Sequence, residues 1–101
     1  MIFLNEIIEN EKCYSFGLVT QKVESFVYIV KYNDTRFKIY SNKELNINEW
    51  IKFYGTLINS IIIPKLIVNL SGCDINLLIK SILYIRKERK AGNFTLNFEK
   101  Y

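Results

Sequence analysis

The sequence predicts an all-β barrel of five short strands, followed by one C-terminal helix. Three observations predict it: short segments of β type recur over residues 13–70, glycines interrupt the first and fourth of them, and the apolar period becomes that of a helix after Ser71. A glycine inside a strand is typical of a bulge or a sharp bend, which lets a small sheet curl and close. The chain has 101 residues, enough for one core and too few for two, so we expect a single domain over residues 1–101. Within it the barrel is predicted over about 13–70, the helix over about 74–90 and a further strand-like tail over 93–101.

The first three strands follow from alternation and from turn chemistry. Strand one is predicted over 13–22, where large apolar residues alternate with smaller or polar ones and Gly17 marks a bulge or bend. Aromatic and β-branched residues fill 25–32, and alternation returns in 36–41. The stretch 33–35, Asn-Asp-Thr, favours a turn, so these two strands are predicted to form a hairpin.

The fourth and fifth strands are predicted beyond a polar connector, residues 41–49. Strand four covers 50–59 with Gly55 at a bend, and strand five covers 61–70. Pro64 has no N–H to donate to a ladder, so it must lie at an edge, at a bulge or near the start of its strand.

The helix begins at a cap, Ser71 or Asp74, and runs to about Lys90 before Ala-Gly stops it. At about 100° per residue its apolar residues form one broad stripe, while Leu77 and Tyr84 lie two turns apart on the opposite side. Two interpretations stay open. Either the stripe covers the barrel and Leu77 and Tyr84 are ordinary exposed residues, or the face that carries Leu77 and Tyr84 docks on a partner helix. The basic residues at the helix end need no partner, because the helix dipole favours cations there. The stripe consists of Ile75, Leu78, Ile79, Ile82, Leu83 and Ile85.

Five strands with a helix after them match the five-stranded OB barrel best among small barrels. An Sm-like barrel fits less well, because its helix precedes the strands. OB barrels bind single strands across strands two and three, with aromatic rings for the bases and cations for the phosphates. The alternative stays open that such residues are only the wet face of an antiparallel sheet. The candidates are Arg36, Lys38 and Tyr40 on strand three, Tyr28 or Lys31 on strand two according to register, and Lys52 and Tyr54 beside them on strand four.

Composition and charge exclude several classes of function. The net charge of +4, with a pI near 9.1, is compatible with nucleic acid or an acidic partner but indicates neither. The chain has no His, its two cysteines lack a CxxC spacing, and no catalytic or phosphate-binding motif occurs. We therefore expect no enzyme, no metal or other cofactor and no small-molecule substrate. The N-terminus lacks a signal-peptide pattern and polar residues interrupt the most apolar run, which predicts an intracellular soluble protein with no membrane role.

Four stretches of the chain resemble one family. "GCDINLL", leading into a helix that ends "RKERK", resembles its C-terminal helix, and "CYSFGLV" resembles its first strand. "EWIKFYGTLI" resembles its fourth strand, and "MIFLNEI" its short apolar lead-in before the barrel. Up to about Lys90 the chain is thus similar to the Ten-one family, the small OB-fold subunit of the CST telomere-capping complex.

The resemblance implies a non-catalytic subunit that works in the nucleus, at chromosome ends. It implies a heterodimer with the middle CST subunit, a larger OB-fold protein, through packing of the two C-terminal helices. It also implies assistance in binding single-stranded telomeric DNA, with weak binding by this chain alone. The alternatives are the smallest subunit of replication protein A and a stand-alone OB domain for single-stranded nucleic acid. The partner contacts that the resemblance implies are Leu77, Leu78, Ile82, Tyr84 and Ile85.

Overall fold

Five strands form a closed barrel, and one helix follows them. The computed structural model describes residues 1–90, so the predicted tail strand over 93–101 lies outside the described residues. The predicted strands and helix are confirmed, with bounds that agree to within about two residues. A single 3-10 turn, Leu4–Glu6, precedes the barrel. The strands are β1 (Lys12–Glu24), β2 (Val27–Tyr32), β3 (Thr35–Tyr40), β4 (Trp50–Ile58) and β5 (Ile61–Asn69), and the helix is α1 (Ile75–Lys90).

The strand order around the barrel is β1-β2-β3-β5-β4, with β1 closing on β4. All pairs are antiparallel except β3 and β5, which meet in parallel at Lys38↔Ile61 and Ile39↔Ile62. β1 is long enough to pair with β4 through its first half and with β2 through its second half. This order, with short hairpins and one strand shared by both halves, is that of the OB barrel.

Gly17 is needed for close packing, and the bulge, one of the two alternatives that the sequence predicts there, does not lie at this residue. The register of β1 against β2 shifts between Val19 and Gln21, beyond the glycine. A Cβ at Gly17 would overlap Cγ2 of Val30 and lie 3.2 Å from Cδ1 of Leu4. Leu4 is completely buried, so the 3-10 turn inserts a core side chain at this point.

Gly55 lies at a bulge, as predicted, and Pro64 is its partner across the strand pair. Tyr54 pairs with Leu66 but Gly55 pairs with Pro64, which leaves Lys65 as the extra residue. Pro64 thus lies directly beside the bulge, where a missing N–H is tolerated. A Cβ at Gly55 would lie 2.5 Å from the carbonyl oxygen of Ile63 and 2.7 Å from Cα of Pro64.

Replacing Gly55 by Ala is expected to lower the free energy of unfolding by about 3 kcal/mol, at the upper end of the cost of overpacking, because the Cβ meets backbone atoms that cannot rotate away. Urea unfolding followed by circular dichroism measures the change. Gly72→Asn is the control, since Gly72 has a φ of 84° that Asn tolerates and a Cβ there meets nothing within 4 Å. Equal stability of the Gly55→Ala variant and the parent would contradict the close approach of β5 to β4 at Gly55.

The helix covers one end of the barrel through an apolar cluster, which we call the floor cluster. Its buried members are Phe16, Leu70 and Ile82. The Asp74 side chain caps the helix, because its Oδ1 accepts the N–H of Leu77 at 3.1 Å. Around these, partly buried residues complete the contact: Met1, Phe3, Tyr32, Trp50, Ile75, Leu78 and Ile79.

Candidate functional site

The barrel-facing side of α1 is narrower than the predicted stripe. Ile82 is 7% exposed, and Leu78 packs against the floor cluster with it. Both were predicted to contact a partner, and both instead lie against the chain's own barrel. The reason is rotational: at about 100° per residue they fall on the same side as Ile75 and Ile79, which the floor cluster also holds.

The opposite side of α1 is apolar and open. Leu77 and Tyr84 are each 61% exposed, and Ile85 is 37% exposed. Ser81 lies between them, and its Oγ donates to the carbonyl oxygen of Leu77 at 2.9 Å. We call Leu77, Ser81, Tyr84 and Ile85 the outward helix face. Because the Ser81 hydroxyl already has an acceptor, a partner could bury this face without leaving that donor unsatisfied.

Leu83 is a further exposed apolar residue on the helix that the predicted partner contacts did not include. It is 52% exposed and lines a shallow groove with Phe3, Tyr32 and Ile79, on a different side from Tyr84. Sequence periodicity placed Leu83 in the barrel-covering stripe, and only the rotation of the helix on the floor cluster shows that it is left open. It therefore serves as a comparison residue for the outward helix face.

Cationic and aromatic side chains gather on β2 and β3. Arg36, Lys38 and Tyr40 are exposed and alternate with inward residues along β3. Lys31 of β2 lies directly opposite Arg36. Like charges at directly opposite positions repel each other, and an anion bound between them would relieve that repulsion. We call Lys31, Arg36, Lys38 and Tyr40 the β2–β3 wall.

The prediction that Tyr28 contacts nucleic acid is wrong. Tyr28 is 1% exposed, and its hydroxyl accepts the N–H of Leu45 at 3.1 Å. The register of the hairpin decides the matter, since Lys31 shares the outer face with Arg36 and Tyr28 points into the core. The ring therefore supports the connector between β3 and β4 and is not available to stack with a base.

Phe26 extends the β2–β3 wall and was not predicted. It lies in the tight turn between β1 and β2 with a φ of 67°, which is unusual for a bulky residue. The side chain is 53% exposed, and its ring centroid is 6.1 Å from that of Tyr40. The signal in the sequence was an aromatic residue in a two-residue hairpin turn, where polar residues and glycine are usual. Phe26 and Tyr40 together form an open aromatic pair.

Lys52 and Tyr54 do not lie beside the β2–β3 wall, contrary to the prediction. β4 pairs with β1 and β5, and β5 separates it from β3. Their neighbours are consequently Tyr14 of β1 and Leu66 and Val68 of β5. The seven predicted nucleic-acid residues are therefore divided into one buried ring, one cationic wall and one separate surface.

The basic end of α1 has a specific partner in addition to the helix dipole. Arg86 donates two hydrogen bonds to the carboxylate of Glu6, at 2.8 and 2.6 Å, and its guanidinium carbon is 5.0 Å from the ring centroid of Phe3. Glu6 also accepts the backbone N–H of Phe3 at 2.8 Å. The Arg86 hydrogen bonds hold the pKa of Glu6 below its usual value, with partial burial opposing and the Phe3 N–H assisting. The forked pair fixes the N-terminal turn to the helix that carries the outward face.

Glu6→Gln is expected to lower the melting temperature by a few degrees at pH 7, the scale of one partly exposed ion pair of about 0.5–1 kcal/mol. Because the folded pKa of Glu6 is depressed, the parent's extra stability is present above about pH 4.3 and is lost as the pH falls through the folded value. Melting curves between pH 3 and 7 should therefore converge at the acid end. A constant difference across that range would show that the ion pair does not carry the effect.

A metal site and a membrane-spanning helix find no support in residues 1–90. No group of three or more Cys, Asp or Glu side chains there could hold a metal ion. No described helix is long and apolar enough to cross a membrane.

A closed barrel with this strand order and a C-terminal helix makes the chain an OB-fold protein. Among solved structures, the chain is similar to the telomere capping protein Ten1 of S. pombe, with a TM-score of 0.71 and 15% identity over 85% of this chain and 95% of that one. It is equally similar, at a TM-score of 0.71 and 16% identity, to a chain of the S. pombe Stn1–Ten1 complex, covering 85% of this chain and 90% of that one. No protein-family model and no curated protein matches the sequence. The fold is therefore Ten1-like.

Proposed function

We propose that this chain is the small, non-catalytic OB-fold subunit of a telomere-capping complex and works in the nucleus at chromosome ends. It binds a larger OB-fold protein through its C-terminal helix. The observation that carries the proposal is the outward helix face, which the barrel leaves open. The fold it shares with Ten1, and with a chain of a Stn1–Ten1 complex, supports the same assignment.

The outward helix face has the properties of a helix-docking surface. Leu77 and Tyr84 are two turns apart, so they present two anchors about 10 Å from each other along the axis. Ser81 between them is small, and a small residue lets a second helix approach closely. Ile85 widens the surface toward the edge of the barrel-facing side. Burial of large anchors such as these supplies most of the energy in protein interfaces.

The second part of the proposal is assistance in holding single-stranded DNA. The β2–β3 wall offers three cations and the Phe26–Tyr40 pair, which suit phosphates and bases respectively. Three cations give weak affinity alone, and the affinity falls as salt rises. The larger partner therefore supplies most of the affinity for DNA, and this subunit extends the binding surface.

The replication protein A subunit and the stand-alone OB domain remain the alternatives, and one experiment separates them from telomere capping. The tagged chain is purified from its own cells after mild crosslinking, and the proteins and DNA that come with it are identified. We expect a larger OB-fold protein in comparable amount and enrichment of chromosome-end repeats. A partner bound at replication sites throughout the genome would assign the chain to general replication. Recovery with nucleic acid but without a protein partner would assign it to the stand-alone class.

A further inference from the structure

Two tyrosines and two aliphatic residues form a row on the far side of the barrel. Tyr14 of β1 lies directly opposite Tyr54 of β4, which lies opposite Leu66 of β5. One step along, Lys52 pairs with Val68. We call these five residues the β1–β4–β5 wall. They line a concave surface with a volume of about 290 Å³.

The segments of the three strands that pair with one another carry charges of one sign. Residues 12–18, 50–58 and 61–69 contain three lysines, at positions 12, 52 and 65, and no Asp or Glu. Nζ of Lys52 lies 5.9 Å from the ring centroid of Tyr14, so a cation stands beside the aromatic row. The carboxylate nearest in sequence to Lys52, that of Glu49, is already hydrogen-bonded to the side-chain amides of Asn46 and Asn69.

We propose that the β1–β4–β5 wall is a second binding site for single-stranded nucleic acid, separate from the β2–β3 wall. This deepens the nucleic-acid part of the proposed function and rests on it. Tyr14 and Tyr54 stack with bases at the concave surface, and Lys52 and Lys12 contact the flanking phosphates. A protein segment would also fit the apolar surface of Leu66, but three lysines on the paired strand segments, with no Asp or Glu among those segments, favour a polyanion.

The geometry supports stacking by two successive bases. Residues directly opposite on antiparallel strands have Cβ atoms about 5 Å apart, so the two rings are neighbours on one surface. Tyr54 is 37% exposed, and Leu66 beside it is 58% exposed, which leaves the row open to a ligand. Neither the outward helix face nor the β2–β3 wall contributes a residue to it.

The test compares two pairs of substitutions that both keep the surface apolar. Tyr14→Leu with Tyr54→Leu removes the rings, whereas Tyr14→Phe with Tyr54→Phe keeps them. Binding of a fluorescein-labelled thirty-nucleotide oligothymidylate is measured by anisotropy, with the chain in the complex in which it is purified and with its melting temperature checked. We expect the Leu pair to bind at least about tenfold more weakly than the parent and the Phe pair to bind within about twofold of it. Crosslinking with the same oligonucleotide carrying 5-iodouracil should mark Tyr14 or Tyr54.

The outcomes separate this proposal from the wider one. If the Leu pair binds like the parent while Arg36→Ala with Lys38→Ala binds more weakly, the second site is wrong and single-strand binding across β2–β3 stands. If neither the Leu pair nor the Arg36→Ala with Lys38→Ala pair weakens binding, both nucleic-acid assignments fail. The proposal that a partner binds through the helix would still stand. If the Leu pair loses a co-purifying protein and keeps the oligonucleotide, the wall is a protein site and the proposal is overturned.

Discussion

Replacing Leu77 and Tyr84 together by Asp is expected to abolish binding of the proposed larger OB-fold partner. Each side chain is 61% exposed in the isolated chain, so the substitutions leave its barrel and floor cluster intact. In the complex the same positions would bury two carboxylates against an apolar helix, and buried unpaired charge is strongly unfavourable. Loss of two anchors at about 2 kcal/mol or more each corresponds to a dissociation constant at least about a thousandfold higher.

The matched control lies on the same helix. Leu83→Asp makes the same chemical change at a residue that is 52% exposed but lies on a different side. Co-expression with a tag on the partner, followed by titration calorimetry of the purified proteins, measures the effect. We expect the dissociation constant of the Leu83→Asp variant for the partner to lie within about threefold of the parent's, because no anchor residue is lost. If it abolished binding and the double variant did not, the docking surface would be the groove beside Phe3 and Tyr32.

Sequence periodicity predicted that the helix has two apolar sides, but not where the boundary between them lies. Leu77 and Tyr84 could be placed opposite the stripe because they are seven residues apart, and the structure leaves both open. The period placed Leu78 and Ile82 correctly in the stripe that covers the barrel, and it was the resemblance that wrongly added them to the partner contacts. Leu83 and Ile85 were placed in the same stripe but are exposed, because the rotation of the helix depends on Phe3 and other residues far away in the chain. A local period gives the relative positions of side chains, and long-range packing decides which of them are covered.

The strands show the same division between local and long-range information. Alternation predicted that Arg36 and Lys38 share a face, which needs only the two-residue period of one strand. The choice between Tyr28 and Lys31 depended on the hairpin register, since shifting the pairing by one residue exchanges inside and outside. The position of Lys52 depended on strand order, because β5 enters between β3 and β4. Neither the hairpin register nor the strand order can be deduced from a single strand.

The N-terminal turn is the part of the fold that the sequence described least. Its apolar character resembled a family lead-in, yet the role of Leu4 inside the barrel and the pairing of Glu6 with Arg86 were not predicted. The pair joins residues 80 positions apart, and no local pattern connects them. The helix is therefore held in two places, by its packing on the floor cluster and by the ion pair near its C-terminal end. Because both contacts fix its orientation, the outward helix face is a preorganised surface for a partner.

Replacing Arg36, Lys38 and Tyr40 together by Ala is expected to weaken binding of single-stranded telomeric DNA by the purified complex about a hundredfold or more. One stacked base contributes about 1–3 kcal/mol, and the two cations contribute through release of counterions from the phosphates. For a single strand the slope of log K against log salt concentration is about 0.7 per neutralised phosphate. The variant should therefore show a slope shallower by about 1.4. Anisotropy titrations between 50 and about 200 mM salt measure both the affinity and the slope.

A loss of net charge alone would imitate part of this result, so the control removes two cations elsewhere. Lys80 and Lys87 are exposed on α1 and do not belong to the β2–β3 wall, and replacing both by Ala lowers the net charge by the same two units. If the wall contacts phosphate directly, this control changes the salt slope by much less than 1.4, because the slope counts the phosphates that are neutralised and lysines outside the contact neutralise none. Equal slopes for the two variants would mean that the chain attracts DNA only through its overall charge. A shallower slope in the wall variant alone, with the complex intact, would assign Arg36 and Lys38 to the DNA path.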